Sequence, residues 1–179
     1  MSPVFHPPPK GRTAVSDKLN TMRILEQNKI PYEALHYPDT LRDAEDIADT
    51  LGLPYFLVYK TLVVQPEAGD KPYLAMIASD RELDLKKLAA VSGQKKVRMA
   101  AHRDAEALTG LKVGGISALA LTQKNWVVFL DQPATEHEHI LISAGQRGTQ
   151  LRVPTMALMR LVRARMADIS REKSDLTET

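Results

Sequence analysis

Apolar and polar positions along this chain follow two periods. Near the start, Leu19, Met22, Ile24 and Leu25 recur at helical spacing, with Ser16 placed to cap the segment and Pro31 to end it. YEALHY then alternates with period two, as a half-buried strand does. Asp43 can cap DAEDIADTLG at its start, and Gly52 is the stop signal of that helix. Asp84 and Gly93 bracket LKKLAAVSG in the same way, and HRDAEALTG ends in Gly110. VYKTLVVQ and YLAMIAS are apolar runs separated by PEAGDKP, which predicts a β-hairpin with a longer loop. WVVFLD and EHILIS read as further strands. Pro154 suits the first turn of a last helix carrying Met156, Met159 and Val162. A hairpin combined with helix–strand alternation predicts an α/β fold, with helices packed on a mixed sheet.

The ends break the pattern. Residues 1–14 hold a proline triplet, a glycine and scattered basic residues, and predict a flexible arm. Residues 171–179, REKSDLTET, are polar without a period and predict a frayed tail. A single domain over residues 15–170 lies between them. The length of 179 residues and the 44% hydrophobic content suit one globular core. Aromatics are only 5%, so that core must be mostly aliphatic. The absence of cysteine excludes disulfides, thiolate nucleophiles and cysteine zinc sites. No apolar run approaches the ~20 residues of a membrane span. The N-terminus lacks the apolar core of a signal peptide, so a cytoplasmic protein is expected. A formal net charge of +2 makes no case for nucleic acid unless the charges cluster.

They cluster in one place. Lys86, Lys87, Lys95, Lys96, Arg98 and Arg103 follow one another with only Glu82 and Asp84 close before them. Such a run either tracks a phosphate backbone or lines a solvated face. Lys60 is the oddest residue, because it sits inside the apolar run VYKTLVV. It either snorkels to water or holds an anion in a dry pocket. LKVGGISAL permits a tight backbone excursion at Gly114 and Gly115, either an ordinary turn between strands or a close approach to a ligand. SAGQRG, with Arg147, is either a phosphate-binding or carboxylate-binding turn or a plain glycine turn. Asp131 is a strand-end site residue or a turn former. His137 and His139 lack a clear third ligand, so a solvated strand start is preferred to a metal site. No G-x-S-x-G setting or phosphate-loop pattern is present.

The order VYKTLVV, LDLKKLAAVSGQKKVRMA, LTGLKVGGISAL, VVFLDQPA and ILISAGQRG resembles the YbaK/EbsC family of aminoacyl-tRNA deacylases, relatives of the editing domain inserted in bacterial prolyl-tRNA synthetases. The resemblance runs from about Ser16 to Asp168. It implies a single α/β domain with a barrel-like mixed sheet, no metal or other cofactor, and aminoacyl-tRNA as the substrate. Prolyl-tRNA synthetase is a possible partner. It implies that Lys60 is the activity-bearing lysine and that Gly114 is the first glycine of the loop against the aminoacyl end. Gly115, Ile116 and Ser117 complete that loop. Tyr37 would be a pocket tyrosine, and Ser143 and Gly145 a small-residue turn lining the site. Ala118 stands where the family loop usually has proline. Gln150 stands where cysteine-specific members carry an acid, and TLRDAEDIA lacks their phenylalanine. The expected function is removal of a small, wrongly attached amino acid, of cysteine or alanine type, by metal-independent and substrate-assisted ester cleavage. The alternative is a non-catalytic aminoacyl- or nucleotide-binding module of the same fold.

Overall fold

The computed structural model describes residues 18–69 and 71–174. Both Ser16 and the expected arm over residues 1–14 lie outside them. The elements run α1 (Asn20–Gln27), β1 (Glu33–His36), α2 (Ala44–Leu51), β2 (Tyr59–Pro66), β3 (Tyr73–Ala78), β4 (Arg81–Leu83) and α3 (Leu85–Ser92). They continue with β5 (Val97–Met99), α4 (His102–Thr109), β6 (Val128–Asp131), β7 (His139–Ser143), β8 (Thr149–Pro154), α5 (Thr155–Leu161), β9 (Arg165–Ala167) and β10 (Ser170–Glu172).

The helix boundaries follow from capping chemistry. The Asp43 carboxylate accepts from the Glu45 and Asp46 amides, and Asp84 accepts from those of Lys86 and Lys87. Each satisfies amides that a helix start otherwise leaves unpaired. Gly52, Gly93 and Gly110 end their helices in the left-handed region. Pro154 precedes α5 as its cap rather than entering its first turn.

The main sheet has the order β5-β2-β3-β6-β9. β2 and β3 form the expected antiparallel pair, with Lys60 opposite Ile77, while β3–β6 and β6–β9 are parallel. Every residue of central β3 is buried. Its alternate residues serve two cores. Leu74, Met76 and Ala78 join the larger one, and Tyr73, Ala75 and Ile77 the smaller. A strand covered on both faces has no polar side to alternate with, which is why YLAMIA reads as a continuous apolar run. A second sheet, β1-β8-β7, and a two-stranded pair, β10-β4, complete the fold. The expected barrel does not close. The two larger sheets meet at one parallel bridge, Val58 to Leu141, and then part.

The C-terminal segment corrects another expectation. Arg171 and Glu172 belong to β10, not to a frayed tail, and Arg171 pairs with Glu82 at 3.3 Å. Asp131 anchors this segment. Fully buried at the end of β6, it accepts from the Ile169 amide at 3.1 Å and from the Ser170 hydroxyl, with the Arg81 guanidinium at 3.8 Å. Asp131 is thus a structural hub, neither a turn former nor part of a pocket. Replacing it by alanine would strand a partly buried cation and buried donors, so Asp131→Ala should lower unfolding stability by about 3 kcal/mol. Urea unfolding of the variant against the parent measures this.

Candidate functional site

β2 has a gap on one edge. Val58 O accepts from Ser79 N toward β3, whereas Val63 O accepts from Ala100 N on the opposite side. Alternate residues therefore turn their backbone groups to opposite edges. Thr61 shares the side of Val63, but β5 pairs only with Val64 to Pro66. The backbone of Thr61 consequently faces a cleft that opens where β2 and β7 diverge. The cleft holds about 170 Å3, with Lys60, Thr61, Gly114, Ser143 and Gln150 among its lining residues. Arg42, Asp43 and Ala44, at the start of α2, form another wall.

The glycine pair sets that wall. Gly114 has φ +89, and a methyl group there would stand 2.9 Å from the Arg42 Cα. A methyl on Gly115 would stand 2.9 Å from the backbone of Gln146 and Arg147. Both contacts are with backbone, which cannot swing aside as a side chain would. The neighbouring Val113 is tied down on both sides. Its amide donates to Glu106 at 3.0 Å, and its carbonyl accepts from Arg147 Nε at 2.7 Å. The Val113 amide, followed by the Lys112 ammonium among the other contributions, holds the Glu106 carboxyl below its ordinary pKa.

Lys60 supplies the charge. It is half-buried and has no ion pair among the described residues. Burial lowers its pKa first, and the nearby Lys173 ammonium lowers it further. Lys173 itself pairs with Glu45 at 2.5 Å. Lys60, Leu62 and Met99 also line an adjoining open groove of about 890 Å3, with Lys86, Arg171 and Lys173 farther along. Gln150 supplies an acceptor: it is 3% exposed and its Oε1 has no hydrogen-bond partner. Among the described residues, no three His, Asp or Glu side chains cluster as metal ligands.

The family model of the aminoacyl-tRNA editing domain matches residues 39–161. The chain belongs to that family. It is 37% identical over 164 residues to the "Putative Cys-tRNA(Pro)/Cys-tRNA(Cys) deacylase EbsC" of Enterococcus faecalis, covering 89% of this chain and 98% of that protein. It is 31% identical over 118 residues to a proline–tRNA ligase of a Sulfurihydrogenibium species, covering 65% of this chain but only 20% of the ligase. A crystal structure described as a "putative trans-editing enzyme for prolyl tRNA synthetase" shares the fold with a TM-score of 0.70. Its identity is 22%, over 87% of this chain and 98% of that one.

Of the site residues expected in this editing domain, Lys60, Gly114, Ile116 and Ser143 come together in the cleft. Tyr37, Gly115, Ser117 and Gly145 do not line it. Tyr37 and Ser117 are buried, with hydroxyls that meet no partner. Gly115 serves the turn packing, and Gly145 donates its amide to Ser143 Oγ at 3.2 Å. Gly114–Gly115 joins α4 to a short helical turn, Leu119–Lys124, so it is not a turn between strands. Arg147 is spent on Val113. His137 stacks on Phe56, ring centroids 5.2 Å apart. Among the basic run, Lys87 is committed to Asp168 and the Ser170 carbonyl. Lys95, Lys96 and Arg98 are exposed, the last on edge strand β5. The cleft residues Arg42, Thr61, Met99 and His102 were not singled out from the sequence, because neither motif nor period marks them.

Gly115→Ala should cost about 1–3 kcal/mol through overpacking alone. Gly114→Ala should cost more, since it adds left-handed strain to a clash. Gly93→Ala, where a methyl meets nothing within 4 Å, carries the strain without the clash and should cost the least. Thermal unfolding of the three variants gives the order.

Proposed function

We propose that this protein cleaves the ester of a wrongly charged aminoacyl-tRNA and releases a small amino acid. The observation that carries this reading is the position of Lys60 where a small cleft meets a wide groove. At about 170 Å3 the cleft is below the roughly 300–1,000 Å3 of drug-sized ligand sites, so it suits an aminoacyl group and not a whole nucleotide. The groove suits the strand behind it. A cation at the junction stands where the terminal adenosine's phosphate would lie.

In this reading the Lys60 ammonium holds that phosphate. The Gln150 oxygen and the Thr61 carbonyl accept from the substrate's α-ammonium, and the Gly114 loop fixes the ester. Water attacks the carbonyl carbon, the bond to the ribose oxygen breaks, and that oxygen takes up the proton. With a cysteinyl substrate the side-chain sulfur can attack instead, its proton passing to the ribose oxygen. The reaction is proposed as metal-independent, with positioning and electrostatics carrying it. Discrimination among small amino acids by cleft size is limited, because one methylene is worth only about 1–3 kcal/mol. The relatives' names make cysteine on tRNA-Pro the first substrate to try and prolyl-tRNA synthetase the candidate partner. Lys86, Lys95, Lys96 and Arg98 are the proposed phosphate contacts outside the cleft. Replacing them should reduce the salt dependence of tRNA binding.

Single-turnover deacylation across a panel of mischarged tRNAs tests the reading. Lys60→Ala should lose most activity; unchanged rates on every substrate would sink the role. Binding without any turnover by the parent protein would instead favour the non-catalytic module. The working form of Lys60 is the ammonium, which is lost as pH rises through its lowered pKa. The alkaline fall in kcat/KM should therefore come at a lower pH than an ordinary lysine gives, and Lys60→Arg should move it upward. Gln150→Leu removes a buried unpaired acceptor. It should leave stability unchanged or raised, while KM for the aminoacyl substrate increases.

A further inference from the structure

A second cavity, of about 400 Å3, lies between the turn Leu119–Lys124 and the end of α5 and shares no lining residue with the cleft. Thr122, Asn125, Trp126, Arg163 and Arg165 are on its wall, together with apolar side chains and no acid. Neither arginine has an ion pair among the described residues. Lys124 lies over the Trp126 ring, 5.6 Å from its centroid. Two exposed arginines and an indole thus line a half-open pocket whose wall carries no acid, with the Lys124 ammonium on the indole beside it.

The backbone makes a separate point. Asn125 and Arg163 are two of the three non-glycine residues with positive φ among the described residues, and both line this cavity. Three helices of this chain end on left-handed glycines, whereas α1 passes into Lys29 at φ 56 and α5 into Arg163 at φ 53. Asparagine tolerates that conformation, but arginine is strained in it and glycine is not. At Arg163 that conformation accompanies a side chain on the cavity wall, which glycine would not supply.

We infer that this cavity binds a nucleotide unit, its phosphate between Arg163 and Arg165 and its base against Trp126. Guanidinium groups match phosphate oxygens in geometry as well as charge, and an indole face accepts any base by stacking. The volume suits one nucleotide. The unit is either a free mononucleotide or one nucleotide of an RNA strand. The site does not depend on the deacylase reading, since no cleft residue takes part.

Trp126 is the chain's single tryptophan, so its emission reports the site directly. The full chain is titrated with adenosine monophosphate, with inorganic phosphate and with an uncharged acceptor-stem RNA. A saturable change with the mononucleotide assigns a free-nucleotide site, and a change with RNA alone assigns a strand contact. The double variant Arg163→Gly, Arg165→Gln should bind at least about tenfold more weakly, while Lys71→Ala, at an exposed position just before β3, binds as the parent does. Arg163→Gly alone should weaken binding and raise Tm by about 2–4 °C, because glycine relieves the strained helix end. The inference is overturned by no saturable change with either nucleotide or RNA, or by phosphate alone binding as tightly as both. It also fails if binding survives the double variant or is lost in Lys71→Ala, or if Tm falls in Arg163→Gly. Deacylation by the parent protein, read in parallel, stands or falls separately.

Discussion

Backbone packs directly on backbone at Gly114 and Gly115, and the cleft depends on that contact. One glycine lies against the start of α2 and the other against the turn between β7 and β8. No side chain separates the three segments, so their spacing has little freedom. Val113, bonded on both sides by Glu106 and Arg147, carries the same restraint one residue back. The loop therefore acts as a rigid wall although it contains no regular secondary structure. Its stiffness does not need the proline that the family loop usually carries. Ala118 already sits at φ −59, a value proline also takes, and packs fully buried.

Two ionisable residues of the main sheet, on strands separated by β3, show opposite uses of burial. Asp131 is fully buried, and its two carboxylate oxygens accept from the Ile169 amide and the Ser170 hydroxyl, with Arg81 nearby. Such a group is satisfied at home and ties three chain segments together. Lys60 is less buried, unpaired, and near a second cation in Lys173. Asp43, Glu45 and Asp80 act on it from a distance, but among the described residues none forms an ion pair with it. The buried acceptor of Gln150 in the same cleft is unanswered too. The cleft thus carries on its wall both a cation without an ion pair and an acceptor without a donor.

Local chemistry made much of the fold legible beforehand. Asp43 with Gly52 and Asp84 with Gly93 act within one turn of their own helices, so capping needed no knowledge of the rest of the chain. The pairing of β2 with β3 followed from two apolar runs and the longer polar loop between them. β10 escaped notice because it is three residues long and polar. It is held by a ladder to β4 and by Asp131, a residue far away in sequence. Tyr37 and Ser117 were expected in the cleft from motif position alone, and packing buries both away from its lining.

The sequence by itself determined the helix ends, the central apolar strand, a glycine pair that permits a tight backbone excursion and the presence of a lysine inside an apolar run. These are local properties, set by neighbouring residues and by the period of burial. Only the tertiary structure decided that β2 and β7 touch once and part, that the barrel stays open, and that Thr61 turns its backbone into the gap. It also placed Lys173 beside Lys60 and Arg163 beside Arg165 and Trp126. Those outcomes depend on how separate segments pack, and packing distances between residues remote in sequence leave no period or cap to be read.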